Sequence, residues 1–274
     1  MQSLSVLIST PLISRKLTAI EKLAILLAGA LHDYDHPGVS NNFLIKTRDP
    51  LAILYNDQSP LENHHLAAGF EILMKDEFNI FAHLEREDQD HARRMMVDLV
   101  LATDNARHFN LTSAFNAKVN VGNLVIDKSE DMTLLLQMLI KCADVSNPGK
   151  PLNLYLEWMN RIVEEFFQQG DRERALSLPI SPFMDRENPK IPRSQVNFIE
   201  FICAPVYQAV GEQLNRMEMY DISQVNLAYW KEQLEKQEKE AQQTGCKFSS
   251  AFFSPHNHNR VFIPPPFLLA PPPK

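Results

Sequence analysis

The chain has 274 residues, 45% of them apolar, only 8 glycines, and a formal net charge of −7. That length and apolar content suffice for one large domain or two small ones, while the acidic balance and the lack of a long basic stripe argue against a nucleic-acid surface. No apolar run is long enough to span a bilayer, and three widely spaced cysteines (Cys142, Cys203, Cys246), without a CxxC pair, fit free thiols in a reducing compartment such as the cytoplasm.

Taken in order, the first eleven residues, MQSLSVLISTP, are mildly apolar and lack the basic start of a signal peptide. They read as the middle of a helix with no capping residue before it, so the domain is expected to start upstream. Residues 18–35 form a strong helix candidate. Thr18 can cap it, Glu21 stands at the capping-box position, and the almost unbroken apolar run Leu23 to Leu31 predicts burial. This helix ends in His32-Asp33-Tyr34-Asp35-His36-Pro37-Gly38. Two imidazoles and two carboxylates within five residues, at the end of a buried helix, are costly to desolvate without a partner. A divalent metal is the obvious compensation, because neutral imidazole nitrogen and carboxylate oxygen are both good ligands for zinc-like ions. The bland alternative is a capped helix end with surface charges.

Residues 43–57 read as short helical pieces broken near Arg48-Asp49-Pro50. Ser59-Pro60 opens another helix with Pro60 in its first turn, carrying Glu62, His64 and His65 there, and buried from Leu66 to Met74. A long helix is expected over 85–107, with Met95, Met96, Leu99, Val100 and Thr103 toward the core and Asp104 near its end. Residues 108–128 are mixed and polar, and are expected to form a loop with a broken helix at most. Ser129-Glu130-Asp131 caps an intensely apolar helix over 132–143 that ends in Asp144-Val145-Ser146-Asn147-Pro148-Gly149. An amphipathic helix over 151–170 is expected to stop at Gly170, followed by a proline-punctuated loop over 171–191. A helix over 193–217 carries Gln195 and Phe198, and a charged helix follows over 223–243. Residues 244–274, with two Pro-Pro-Pro runs, read as a disordered tail, which makes 1–243 the folded domain. His83, His91 and His108 are expected on the surface, and the charge run 231–240 is a solvated face.

Four helix ends thus carry ligand-type residues: His32 with Asp33, Glu62 with His64 and His65, Asp104, and Asp144. A bundle that gathers them creates an acidic, imidazole-lined pocket. Two divalent ions about 3.5–4 Å apart in such a pocket are a standard device for phosphoester hydrolysis.

At these residues the chain resembles the class I 3′,5′-cyclic nucleotide phosphodiesterases. HDYDHPGVSNNF at 32–43 is similar to the family signature, and LAILYNDQSPLENHH at 51–65, DLVLATD at 98–104, IKCADVSNPGKPL at 140–152, EEFFQQGDRE at 164–173 and SQVNFI at 194–199 follow in the family's order. The likeness covers roughly 2–240. It implies an all-α, compact multi-helix (HD-type) catalytic domain, here expected to lack its first helices. It also implies two divalent ions, zinc with magnesium or manganese, and hydrolysis of cAMP or cGMP to the 5′-monophosphate.

Carried over position by position, His32, Asp33 and Asp144 resemble the tight-site metal ligands, with Asp33 bridging and both aspartates facing substrate. His36, Glu62, His65, Thr103 and Asp104 match positions that hold the second ion's waters. Gln195 resembles the purine-reading glutamine and Phe198 the aromatic clamp, with Ile162 and Phe166 on the opposite wall and Asn147 near the base. CADVSNPGKPL and IPRSQVNFIEF look closest to cAMP-preferring branches, while FMDRE at 183–187 resembles cGMP-directed ones. The family's proton-donating histidine belongs to an HNxxH-type motif that the resemblance places upstream of Met1, so no catalytic proton donor is assigned. Two readings follow: a phosphodiesterase whose full sequence extends upstream, or a nonhydrolytic cyclic-nucleotide-binding or interaction protein. A different His-Asp phosphohydrolase is a weaker third. The expected partners are a cyclic nucleotide and either regulatory domains or a second copy of the chain.

Overall fold

The computed structural model describes residues 1–122, 124–127 and 129–243; the tail expected at 244–274 lies outside the described residues. Among the described residues every regular element is helical. The first is α1 (Gln2–Ile8), followed by the one-turn α2 (Pro11–Ser14). The capping box at the start of α3 (Ala19–Leu31) forms in full: the Thr18 hydroxyl accepts from the Glu21 amide, and the Glu21 carboxylate accepts from the Thr18 amide. Two short helices and a longer one follow. Ser40 caps α4 (Asn41–Thr47), Asp49 caps α5 (Pro50–Leu54), and α6 (Pro60–Leu73) opens on Pro60, as expected. Next come α7 (Arg86–Ala102), α8 (His108–Asn120) and α9 (Ser129–Asp144), then the long α10 (Leu152–Ala175). The chain closes with α11 (Ile191–Phe198), a π-turn (Ile199–Cys203), α12 (Ala204–Leu214) and α13 (Glu218–Gln243).

The main core forms around α9, which packs against α1, α3, α7, α8 and α12. Its Leu135, Leu136, Met138, Leu139 and Ile140 are all buried, and cutting one such leucine to alanine costs about 2–5 kcal/mol. A second cluster joins α10, α11 and α13 through Tyr155, Met159, Val196, Ile199, Leu227 and Trp230. A third, small cluster of Val39, Phe43, Leu44, Ala52 and Leu61 fills the corner made by α4, α5 and α6. The loop that begins at His32 therefore leaves the main core and lands on a small core of its own.

Several expectations fail for identifiable reasons. α3 stops at Leu31 rather than residue 35, because His32–Asp35 turn away and Asp35 takes a left-handed φ of 58°. α7 ends at Ala102, and Asp104 instead caps a 3₁₀ turn, Asn105–Arg107. The expected loop over 108–128 contains a 13-residue helix, α8, that buries only His108, Thr112 and Phe115. His108, expected on the surface, is 1% exposed. α10 continues five residues beyond Gly170, because that glycine is a contact and not a stop: a Cβ there would lie 1.8 Å from the Met184 carbonyl oxygen. The helix expected over 193–217 forms as one continuous rod from Ile191 to Leu214, but with a π-turn inside it that directly precedes the Ala204-Pro205 start of α12.

Candidate metal centre

The C-terminal ends of α3 and α9 meet. His32 Nε2 lies 3.2 Å from Asp33 Oδ2 and 3.2 Å from Asp144 Oδ1, with all three side chains 11% exposed. The other ring nitrogen, Nδ1, is 3.1 Å from the Gly29 carbonyl. A carbonyl only accepts, so Nδ1 carries the hydrogen and a neutral His32 turns the Nε2 lone pair toward two carboxylate oxygens. Lone pairs facing one another at this distance need a cation between them, either a proton or a metal ion. Burial opposes protonation of His32, but Asp33 and Asp144 outweigh it and hold the group well above its usual range. One nitrogen and two oxygens from rigid helix ends fit a zinc-like ion.

A second set shares Asp33. The ligand atoms of Asp33, His36 and His65 lie within 4.8 Å of one another, as do those of His32, Asp33 and Asp144. The two new imidazoles stack with centroids 5.4 Å apart and are fixed in opposite tautomers. His65 Nδ1 donates to the Tyr34 carbonyl at 2.6 Å, leaving a lone pair on Nε2, which is 3.9 Å from Asp33. His36 Nδ1 accepts from the Gly38 amide at 3.0 Å, so a neutral ring carries its hydrogen on Nε2, a buried atom without a protein partner. Burial, then the neighbouring histidines, press His36 down to about 3. Burial likewise brings His65 to about 4. Both are neutral at pH 7, one a donor and the other an acceptor.

The remaining acidic residues act at one remove. Glu62, 4% exposed, accepts from Asn41 at 2.9 Å, and burial followed by the charge of Asp104 raises it to about 7. Asp104 has both oxygens engaged, one by the Ser59 hydroxyl at 2.6 Å and the other by the Ala106 amide at 2.8 Å. The Thr103 hydroxyl donates to the Val100 carbonyl at 2.7 Å, closing the end of α7. His64 turns outward to Asp35 at 2.8 Å.

Beneath this set lies Lys141, 1% exposed, its ammonium 3.4 Å from the carbonyls of Thr103 and Asp104. Burial pulls it down to about 8 against the pull of Asp144, Asp104 and Glu62. Sequence reasoning missed it, although a lysine in an apolar run three residues before Asp144 is a visible anomaly. Glu165 was missed as well. It sits beside Gly38 and is raised to about 7 by burial and by Asp33.

The other residues singled out by sequence are fixed by different layers. Gln195, 9% exposed, is held by the Tyr155 hydroxyl, which donates to Oε1 at 2.6 Å. Phe198, 8% exposed, and the half-buried Ile162 belong to the main core. Phe166 lines a shallow groove with His36, Gly38, Ser40 and Gln169, and Asn147 opens the 3₁₀ turn Asn147–Gly149 after α9.

Comparisons with known proteins agree with one another. The family model described as 3′5′-cyclic nucleotide phosphodiesterase matches residues 1–225. The rat 3′,5′-cyclic-AMP phosphodiesterase 4C is 46% identical over 213 residues, covering 76% of this chain and 40% of the relative. Its mouse counterpart is 42% identical over 241 residues, 85% of this chain and 35% of the relative. A probable 3′,5′-cyclic-AMP phosphodiesterase of Caenorhabditis elegans, pde-4, is 44% identical over 213 residues, 76% of this chain and 32% of the relative. The chain thus spans two fifths or less of these relatives' lengths.

Proposed function

The chain belongs to the 3′5′-cyclic nucleotide phosphodiesterase family, and from that premise we propose that it hydrolyses the 3′,5′-cyclic phosphodiester of cAMP, in preference to cGMP, to the 5′-nucleoside monophosphate. The observation that carries this reading is Asp33, whose two oxygens serve two adjacent sets of ligand-type side chains. His32, Asp33 and Asp144 would hold one ion, zinc in our reading, and Asp33 with the His36 and His65 side would face a second, magnesium or manganese. When bound, such a pair supplies hydroxide near neutral pH and neutralises phosphoryl charge.

The chain's own groups do the rest. The stacked rings of His36 and His65 differ in polarity, His36 with a hydrogen on Nε2 and His65 with a lone pair there, so an oxygen reaching both would be oriented by a donor and an acceptor. Glu62 and Asp104, anchored by Asn41 and Ser59, keep the recess acidic, and Lys141 offsets part of that charge from below. Gln195 reads the purine edge with an amide whose other end Tyr155 holds, and Phe198, Ile162, Phe166 and Asn147 complete the base pocket. The lean to cAMP follows the three relatives, each of which is named as a 3′,5′-cyclic-AMP phosphodiesterase or a probable one. We place the protein in the cytoplasm, in keeping with the buried free thiols of Cys142 and Cys203. No helix among the described residues is long and apolar enough to cross a membrane.

The test is turnover of cAMP and cGMP by the purified chain with Mn²⁺, against a His32→Ala control. Turnover above the control with a higher kcat/KM for cAMP is expected. Binding of cyclic nucleotide with no turnover above the control, here and in a chain extended upstream through an HNxxH-type motif, would sink the hydrolytic reading in favour of a binding protein.

A further inference from the structure

A buried polar chain outside the site ties it to the rest of α10. Gln169 is 2% exposed and Glu173, one turn later, is 0% exposed. Gln169 Oε1 accepts from the Ser40 amide at 2.8 Å, and its Nε2 donates to Ser40 Oγ at 3.3 Å and to Glu173 Oε1 at 3.0 Å. Glu173 Oε1 also accepts from Ser181 Oγ at 2.6 Å, and Oε2 from the Ser181 amide at 2.6 Å. A fully buried carboxylate is tolerated only when such donors replace its water. Each of these partners of Glu173 is a donor, so a glutamine there would have to point its NH₂ at another donor.

The other end of this chain is the stretch His36–Ser40. Gln169 grips it at Ser40, where the hydroxyl also caps α4 at the Phe43 amide, and four residues back stands His36, held by the Gly38 amide. Between these two points Gly38 takes a left-handed φ of 72°, so the loop's shape depends on its ends being pinned. His36, Gly38, Val39 and Ser40 face Glu165, Phe166 and Gln169 of α10 across one shallow groove.

We propose that Gln169 and Glu173 are positioning residues of the metal centre: through Ser40 they fix the 36–40 loop, and with it His36, against α10, and they clamp the 176–190 segment at Ser181 to the same carboxylate. This rests on the reading of Asp33, His36 and His65 as one side of a two-ion site. The substitutions Gln169→Glu and Glu173→Gln test it, alone and together, in the full 274-residue chain. Each single variant sets like groups against each other, two carboxylates in the first and two N–H donors in the second. The double variant rebuilds the pattern with the two side chains exchanged. The carboxylate, now at position 169, can accept from Ser40 and from the amide NH₂ at position 173, whose carbonyl oxygen accepts from the Ser181 amide.

Mn²⁺ affinity, followed by the loss of the free-ion EPR signal, is measured on protein shown to be folded by circular dichroism, beside KM and kcat for cAMP. Each single variant is expected to bind Mn²⁺ about tenfold more weakly or worse, with kcat falling more than KM rises. The double variant should return to within about twofold of the parent. Unchanged Mn²⁺ affinity in a folded Glu173→Gln chain, or a double variant no better than the singles, overturns the proposal. If the single variants do not fold, Ser181→Ala, which removes one bond to Glu173, must still weaken Mn²⁺ binding, and unchanged affinity overturns the proposal again. A parent chain that binds no Mn²⁺ refutes the two-ion reading itself, and this inference with it.

Discussion

At the scale of single residues, hydrogen-bond direction decides most of the chemistry. His32, His36 and His65 lie in one short stretch of space, yet three backbone contacts divide them between two roles: Gly29 and Tyr34 expose a lone pair on His32 and His65, and Gly38 exposes a hydrogen on His36. None of this is legible in HDYDHPG, which reveals the ligand types but not the tautomers. Tyr155 is equally hidden, since one tyrosine in an amphipathic helix carries no mark of its contact with Gln195. If it fixes which end of the amide faces the base, Tyr155→Phe should cut the kcat/KM preference between cAMP and cGMP by about tenfold, the worth of one hydrogen bond. Equal preference ratios in variant and parent would show that the amide is oriented by other groups.

His108 supports a pH prediction away from the metal centre. Burial, helped by Lys141, lowers it from 6.5 to about 4. The unfolded chain therefore binds this proton below pH 6.5 while the folded chain refuses it until about pH 4, so stability falls as the pH drops through that window. From pH 7 to pH 5 the loss from this group is about 2 kcal/mol. A non-titrating His108→Gln chain should lose less by that amount in denaturant unfolding at the two pH values.

At the scale of elements, strong local signals are legible in the sequence and tertiary ones are not. The Thr18–Glu21 capping box, Pro60 in the first turn of α6 and the apolar run of α9 all act within a few residues, and each element forms where they place it. α8 escapes notice because HFNLTSAFNAKVN has weak polarity contrast, and its helix is stabilised by burying Phe115 and His108 against neighbours distant in sequence. Gly170 misleads because glycine at a helix end and glycine under a crossing chain look alike in sequence. Its role gives a sharp test. Gly170→Ala must displace the Met184 carbonyl, costing about 2 kcal/mol or more and lowering the melting temperature by roughly 4–8 °C. A melting temperature equal to the parent's would mean that the 176–190 segment yields freely.

At the scale of the whole molecule, the candidate metal centre is also a joint. It lies where α3 and α9 of the main core meet the loop that leads to the small cluster of α4, α5 and α6. A cation there is expected to hold these parts together as well as to serve chemistry. Chelation should therefore lower the melting temperature, and Zn²⁺ or Mn²⁺ at about 100 times its dissociation constant should restore about 2.7 kcal/mol. A chain whose melting is indifferent to chelator would show that a proton on His32 satisfies the cluster alone.

The π-turn at Ile199–Cys203 has a consequence at this scale. Each α-helical residue turns the rod by about 100°, so a π-turn, equivalent to one extra residue, rotates everything after it by that angle. Gln195 and Phe198 stand before this offset, and Val206, Tyr207 and Val210, sealed into the main core, stand after it. The rod behaves like a key whose bow and blade are cut at different angles: both ends are packed, Phe198 and Val206 in the main core and Val196 in the second cluster, and the offset lets one rod present apolar faces to both.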